Sequence, residues 1–344
     1  MTDDTAKDKY CDKLINELKK WGAEISRPIS SVYIGGGTPT VLGGVRLEAI
    51  LNAVNSNFSV LKDAEITVEG NPGDNLTEII PKIKAAGCNR FSLGVQSAND
   101  SELKTLGRRH SPLDAKKAVE VVRKCGIDNI SVDLMLGLPE SSDTTLKKSI
   151  DFALSLSPMH ISAYILKLED GTPLKKQADS LNLPDDDAVS DQYLLLCKEL
   201  EKAGYEHYEI SNFAKSDYHS RHNTSYWQSE EYIGVGPAAH SFFEGKRFYY
   251  PPDIAAFLDN PQTVYDGEGG TPEEYIMLGL RLKSGISATE FENKFGSTLS
   301  PAITKKAKEL QKNGLCDIID GRISLTDSGM LVSNSIINYF LEEL

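Results

Sequence analysis

The sequence predicts an α/β fold, a parallel sheet either open or curled into a barrel, followed by a small winged-helix-like domain. Two observations carry this. From Trp21 to about Ser211, short β-rich runs alternate with amphipathic helical runs across short loops. Beyond residue 271 the pattern changes to three helices and a hairpin-like ribbon.

The first element is a helix over residues 8–21, which places Tyr10, Leu14, Leu18 and Trp21 near one face. A βα barrel ordinarily begins with a strand, so this one reads as a barrel whose first strand has been removed. Strands are expected over 31–34, 65–68, 90–95, 129–136, 160–166 and 207–210. Helices are expected between them over 47–57, 76–86, 113–124, 144–156 and 188–203, and Ala118, Val119 and Val122 keep helical spacing in the third. Gly87, Gly126 and Gly204 stand where helix C-caps belong. Residues 167–187 read as a long functional loop with a short helix, and 211–253 as an irregular segment rich in His, Tyr, Trp, Asn and Gly. A linker at about 260–271 leads to helices over 273–283, 288–295 and 301–313, a hairpin over 315–319 and 321–325, and a final helix over 328–341.

With 344 residues, the chain has room for one large domain and a small one. Its 40% hydrophobic and 25% charged residues describe a globular protein. The net charge of -13 favours solubility and argues against a nucleic-acid partner, and residues 271–344 hold 8 basic against 10 acidic side chains. No apolar run approaches the roughly 20 residues that span a bilayer, so membrane association is peripheral at most. The acidic start lacks the basic and apolar regions of a signal peptide, and a cytoplasmic protein is expected. Five cysteines lie at least 37 residues apart, which leaves no local metal-binding pair and suggests reduced, mostly buried thiols.

The most informative segment is Gly35-Gly36-Gly37-Thr38-Pro39-Thr40, directly behind an apolar strand. Glycines there let backbone N–H groups approach a ligand closely. The loop is neither a Walker loop nor a dinucleotide fingerprint. Ligands of βα barrels sit at the C-terminal ends of the strands, where this chain carries Glu69-Gly70-Asn71-Pro72 and then Gln96, while Asp133 lies inside the next apolar run, which closes with Gly137-Leu138-Pro139. Glu69, Gln96 and Asp133 form a candidate ring for the ammonium, amide and ribose hydroxyl groups of one ligand. For any one of them alone, a structural hydrogen bond is the alternative.

In order, residues 33–40, Glu69-Gly70-Asn71-Pro72, Leu93-Gly94-Val95-Gln96-Ser97, Leu106-Gly107-Arg108 with His110, and residues 133–139 resemble the oxygen-independent coproporphyrinogen III oxidase family (HemN) and its heme-chaperone relatives (HemW). The resemblance covers nearly the whole chain. It implies an incomplete (βα)6-type radical S-adenosylmethionine (SAM) barrel over 1–265, with 211–253 as an extension, and a winged-helix-like domain over 266–344. It further implies that Gly36, Gly37 and Thr38 hold the amino and carboxylate groups of SAM. Glu69 contacts the same molecule, Gln96 and Arg108 line the pocket, and Asp133 takes the ribose hydroxyls. Arg109 reads as a surface charge.

Two further segments point to the heme-chaperone branch: residues 205–214, and His222-Asn223-Thr224-Ser225-Tyr226-Trp227, which matches the HNxxYW motif associated with heme binding. On this reading His222 ligates heme iron while Tyr226 and Trp227 stack on the porphyrin. His240 is a second candidate. From the residues alone, the alternative is that His222 and Trp227 simply pin an irregular segment.

The departure from the family is the cluster. Radical SAM enzymes use a Cys-x3-Cys-x2-Cys loop to bind a [4Fe–4S] cluster, and no such loop occurs here. Either the chain is a shortened version or it is a natural relative that lost its cluster, and the retained SAM-type residues favour the first. As written it is expected to be inactive in radical chemistry, with weakened SAM affinity. The leading expectation is a heme chaperone that passes heme to acceptor proteins. The alternatives are oxidative decarboxylation of coproporphyrinogen III, for which Arg108 and Arg109 alone are a poor set of propionate partners, and a βα domain binding another small nucleotide.

Overall fold

A computed structural model describes residues 3–344. Helix α1 (Asp4–Glu24) runs about one turn further at each end than its apolar face. There follow β1 (Ile29–Ile34), α2 (Gly44–Asn57), β2 (Val60–Gly70), α3 (Leu76–Ala85), β3 (Arg90–Gln96), α4 (Asp100–Thr105), α5 (Pro112–Lys124), β4 (Asn129–Leu136), α6 (Asp143–Ser155) and β5 (His160–Ile165). The short α7 (Pro173–Lys176), α8 (Asp186–Lys202), β6 (Glu206–Glu209) and β7 (Asn212–Ala214) complete this stretch. Capping explains several boundaries. Ser111 and Asp114 form a capping box at α5, Ser142 and Thr145 do so at α6, and the predicted glycines follow α3, α5 and α8 in left-handed conformations.

Seven strands form one curled sheet in the order β1-β2-β3-β4-β5-β7-β6, and β1 to β5 are parallel. The mixed α/β half-barrel expected from the sequence is thus present. The sixth expected strand, β6, does not lie beside β5, because β7 comes between them and runs antiparallel to β5. Only Ile210 and Ser211 separate β6 from β7. So short a connection can make a hairpin but never a parallel crossover, which takes a dozen or more residues.

Register divides the sheet into two chemically different faces. On one, Tyr33, Thr67, Arg90 and Asn129 are neighbours, then Glu69, Ser92, Ser131 and His160, then Asp133, Ser162 and Asn212. On the other, Ile34, Val68, Phe91 and Ile130 align, then Leu93, Val132, Ile161 and Phe213. The apolar face meets the buried stripes of the helices, including Ala118, Val119 and Val122 of α5. A parallel sheet covered on both sides by helices reads as continuously apolar. Strict alternation within fully buried β3 departs from that pattern and gives the sheet one polar face despite its burial.

Beyond residue 220 lie α9 (Arg221–Trp227), β8 (His240–Phe243), β9 (Lys246–Tyr249), α10 (Ile254–Asp259), β10 (Val264–Glu268), α11 (Pro272–Gly279), β11 (Ile286–Ser287), α12 (Ala288–Phe295), α13 (Pro301–Lys312), β12 (Cys316–Ile319), β13 (Arg322–Leu325), α14 (Asp327–Leu331) and α15 (Ser333–Leu341). The segment expected to be irregular holds β7, α9, β8 and β9, and the expected linker holds β10, whose Val264 and Tyr265 pair with Tyr249 and Phe248. The hairpin of β12 and β13 gains β11 as a third strand. The expected final helix is broken at Val332 (φ -110°, ψ 20°) into α14 and α15. There the Val332 N–H bonds back only three residues to Gly329.

Packing divides the described residues into two compact units. One holds Ser26–His207 and Ser211–Ser220; the other holds the chain up to Ile25, Tyr208–Ile210 and Arg221–Leu344. This cut differs from the expected one at residue 265. In the second unit α1 meets the ribbon that the linker helps to build: Trp21 stacks on Phe248 at 5.6 Å and donates to the Tyr250 hydroxyl at 3.0 Å. No helix among the described residues is long and apolar enough to cross a membrane.

Candidate functional site

In the sheet unit, the chain leaves β1 through the glycine loop. Gly36 and Gly37 take φ values of +80° and +45°, and nothing lies where a Cβ would project. Left-handed, open backbone of this kind suits close approach of a ligand. Gly35 is different: a Cβ there would stand 2.5 Å from Tyr33 Cε1 and 2.9 Å from Glu69 Oε1. The Glu69 carboxylate accepts from the Gly36 N–H at 3.2 Å and from the Tyr33 hydroxyl at 2.6 Å. Burial, and then the Glu69 charge, raise the Tyr33 hydroxyl far above its ordinary pKa. Tyr33 therefore stays a donor, and Glu69 is oriented from two sides.

Thr38 joins the same network through Asn71, whose Nδ2 donates to Thr38 Oγ1 at 3.1 Å and whose Oδ1 accepts from Arg108 at 3.2 Å. Asp74 holds Asn71 in place by accepting its backbone N–H at 2.9 Å and the Thr40 hydroxyl. Arg108 thus faces this network, whereas Arg109 is exposed. Tyr33 and Asn71 were not among the site residues expected from sequence, although both lie within the family-like motifs.

Gln96 ends β3 at φ +69°, which is strained for a residue with a Cβ. A buried polar cluster holds it there: Ser97 donates to Glu102 at 2.5 Å, and the Ala98 and Asn99 N–H groups bond to Ser149 and Ser97 at 3.0 and 2.9 Å. Gln96 Oε1 is buried without a hydrogen-bond partner, so an acceptor is left waiting. Asp133 sits one strand over and accepts from Ser92 at 3.1 Å. Burial first, and then the Glu69 charge, push its carboxyl up to about 7. The polar face also carries Tyr164, raised in pKa by burial and by Asp133, and Arg90, which is 1% exposed with an unpartnered Nε. Neither was singled out from sequence, although the inward alternation of β3 and β5 points to both.

These residues fit SAM. The backbone of Gly36 and Gly37, unobstructed by any side chain, suits close approach of its carboxylate end, Glu69 its ammonium, Asp133 a diol, and the orphaned Gln96 acceptor an N–H donor. The described residues do not fit a [4Fe–4S] cluster. All five cysteines are free, four of them are buried, and no three of their sulfurs converge.

The second predicted set lies in the other unit, on α9. His222 Nε2 and the Tyr226 hydroxyl are 2.8 Å apart with their rings 4.7 Å apart, and Tyr226 packs edge-on against Tyr232 at 4.4 Å. Burial pushes the Tyr226 hydroxyl up to about 12. Trp227 follows, with its indole N–H buried and unpartnered and the Arg281 guanidinium over its ring at 5.6 Å. His240, exposed at the head of β8, stacks instead on Tyr249 at 5.1 Å.

Sequence profiles of two known families match the chain: the Radical SAM superfamily over residues 3–153 and the HemN C-terminal domain over residues 271–332. The heme chaperone HemW of Lactococcus lactis subsp. lactis is 35% identical over 342 residues, covering 97% of this chain and 89% of that protein. That of Bacillus subtilis is 34% identical, covering 98% and 92%, and that of Escherichia coli 33% identical, covering 98% and 90%. Among solved structures, the radical SAM enzyme coproporphyrinogen III oxidase (HemN) of Escherichia coli superimposes with a TM-score of 0.83 at 19% identity, covering 99% of this chain and 84% of that one. This last likeness is one of fold.

Proposed function

Because the chain belongs to the HemW heme-chaperone family within the radical SAM superfamily, we propose that it binds heme and hands it to acceptor proteins. The observation that carries this reading is the α9 arrangement, in which the His222 imidazole meets the Tyr226 hydroxyl at 2.8 Å and Trp227 is the next residue along the helix. Neutral imidazole is a sound ligand for heme iron, and the contact of Nε2 with the Tyr226 hydroxyl helps to set the orientation of the ring. His222 is the proposed iron ligand, with Tyr226 and Trp227 as the stacking surfaces.

The test is a hemin titration followed at the Soret band. The wild-type chain is expected to show a saturable shift, and His222→Ala to lose at least tenfold in affinity. An equal shift in both proteins removes His222 from the role, and no shift in either defeats the chaperone reading.

Gly36, Gly37, Thr38, Glu69, Gln96, Arg108 and Asp133 are proposed to hold SAM. Beside a reduced [4Fe–4S] cluster, SAM is the source of a carbon radical in this superfamily. These 344 residues contain no Cys-x3-Cys-x2-Cys loop, and no radical step is assigned to them. Incubation of this chain with iron, sulfide and reductant is therefore expected to give no cluster signal by electron paramagnetic resonance. A [4Fe–4S] spectrum would overturn that statement.

A further inference from the structure

We propose that Arg281 is a carboxylate anchor for the heme, taking a porphyrin propionate while α9 holds the iron and the ring. This inference rests on the heme reading above.

Arg281 stands immediately after α11 and Leu280 in the unit that contains α9. Its guanidinium lies over the Trp227 ring at 5.6 Å, and its side-chain hydrogen bond goes to neutral Asn334 Oδ1 at 3.1 Å. No carboxylate pairs with it among the described residues, although Arg247, Lys283, Lys306 and Arg322 of the same unit all have one. In a chain of net charge -13, a half-buried cation left without an anion is out of character. Burial alone lowers its pKa, with no neighbouring charge opposing the shift. Partly desolvated guanidinium groups ordinarily meet a carboxylate or phosphate, and an incoming anion would supply what this site lacks.

The α9 segment carries the complementary vacancies. Trp227 Nε1, Thr224 Oγ1 and Ser229 Oγ are each buried without a hydrogen-bond partner. The first is an obligate donor and calls for an acceptor, while the two hydroxyls can be met by a donor or an acceptor. The backbone of Arg281 is held in advance: its carbonyl accepts from the Ile210 N–H at 2.9 Å, and Leu282 bridges to Glu209. A flat ligand seated against Trp227 with a carboxylate at its edge would give Arg281 the anion it lacks. Heme is such a ligand.

The test is a cycle of two ligands and two proteins. Hemin and hemin dimethyl ester, in which both propionates are esterified, are titrated into the wild type and Arg281→Gln, with Soret shifts read as dissociation constants. Wild type is expected to bind hemin about tenfold more tightly than the diester, a coupling typical of one charge-assisted contact. Arg281→Gln should weaken hemin about tenfold and leave the diester unchanged. Arg281→Lys, which keeps the charge but loses the planar fork, should fall between the two and guards against a folding defect in the glutamine variant. Equal weakening of both ligands, or of neither, overturns the anchor and leaves Arg281 a packing partner of Trp227. Should wild type bind no hemin, the heme reading fails and the anchor with it. If His222 matters but the cycle shows no coupling, the anchor alone falls.

Discussion

Asp133→Asn is expected to weaken SAM binding at least tenfold while making the ligand-free protein more stable at pH 8. Both effects come from one carboxyl group. Burial and the Glu69 charge hold its folded pKa near 7, against 3.8 as the ordinary value. A raised carboxyl pKa means that the folded protein binds the proton more tightly than the unfolded chain does. Stability is therefore greatest below the ordinary value, falls as pH rises towards about 7, and levels off above it. The side chain keeps some access to water on the polar face, so the penalty at pH 8 is on the order of 2 kcal/mol rather than the full value of the shift. Asparagine keeps the shape and has no charge to desolvate. Thermal melts should place the variant a few degrees above wild type at pH 8 and level with it at pH 4. Equilibrium dialysis with labelled SAM should show the loss, because an amide holds a diol less well than a carboxylate does. In wild type, SAM affinity should rise with pH up to about 7. A variant less stable than wild type at pH 8 would refute the account of Asp133.

Gly35→Ala is the second large effect, expected to lower SAM affinity at least tenfold through a single methyl group. The added carbon would lie 2.5 Å from Tyr33 Cε1 and 2.9 Å from Glu69 Oε1, closer than real contacts allow. Relief requires Tyr33 to rotate, which breaks its 2.6 Å bond to Glu69, or the loop to lift, which moves the Gly36 N–H away from the same carboxylate. Either movement misplaces the group proposed for the ammonium of SAM. Gly126→Ala, outside the proposed site, is the control. Its Cβ meets only Lys84 Cε at 3.9 Å, so it costs only the strain of a left-handed alanine, about 1 kcal/mol of stability. If the two variants bind SAM equally well, the steric argument is wrong.

The two sites differ in how much of each is legible in the sequence. Glu69 and Gln96 stand at the ends of apolar strands and Asp133 inside one, and strand ends are where barrel ligands gather, so these residues stand out from local pattern. His222, Tyr226 and Trp227 sit in one motif, and a helical turn brings His222 to Tyr226 because residues four apart share a face. The role of Asn71 as the hub between Thr38 and Arg108 is not legible, because it bridges three separate segments. Arg90 and Tyr164 occupy alternating inward positions, yet in sequence nothing sets them apart from ordinary strand residues.

The alternation of strands and helices, the parallel βα sheet, the glycine loop and the family resemblance are legible in the sequence alone. These follow from periodicity, turn chemistry and contiguous motifs, all of which act over a few residues. That β7 enters the sheet beside β5, that residues 264–268 form a strand instead of a linker, and that Arg281 lies over Trp227 without an anion emerge only on folding. Strand pairing and charge partnering are settled by which distant segments meet. A guanidinium is unpaired only in relation to everything packed around it, and no local pattern records that.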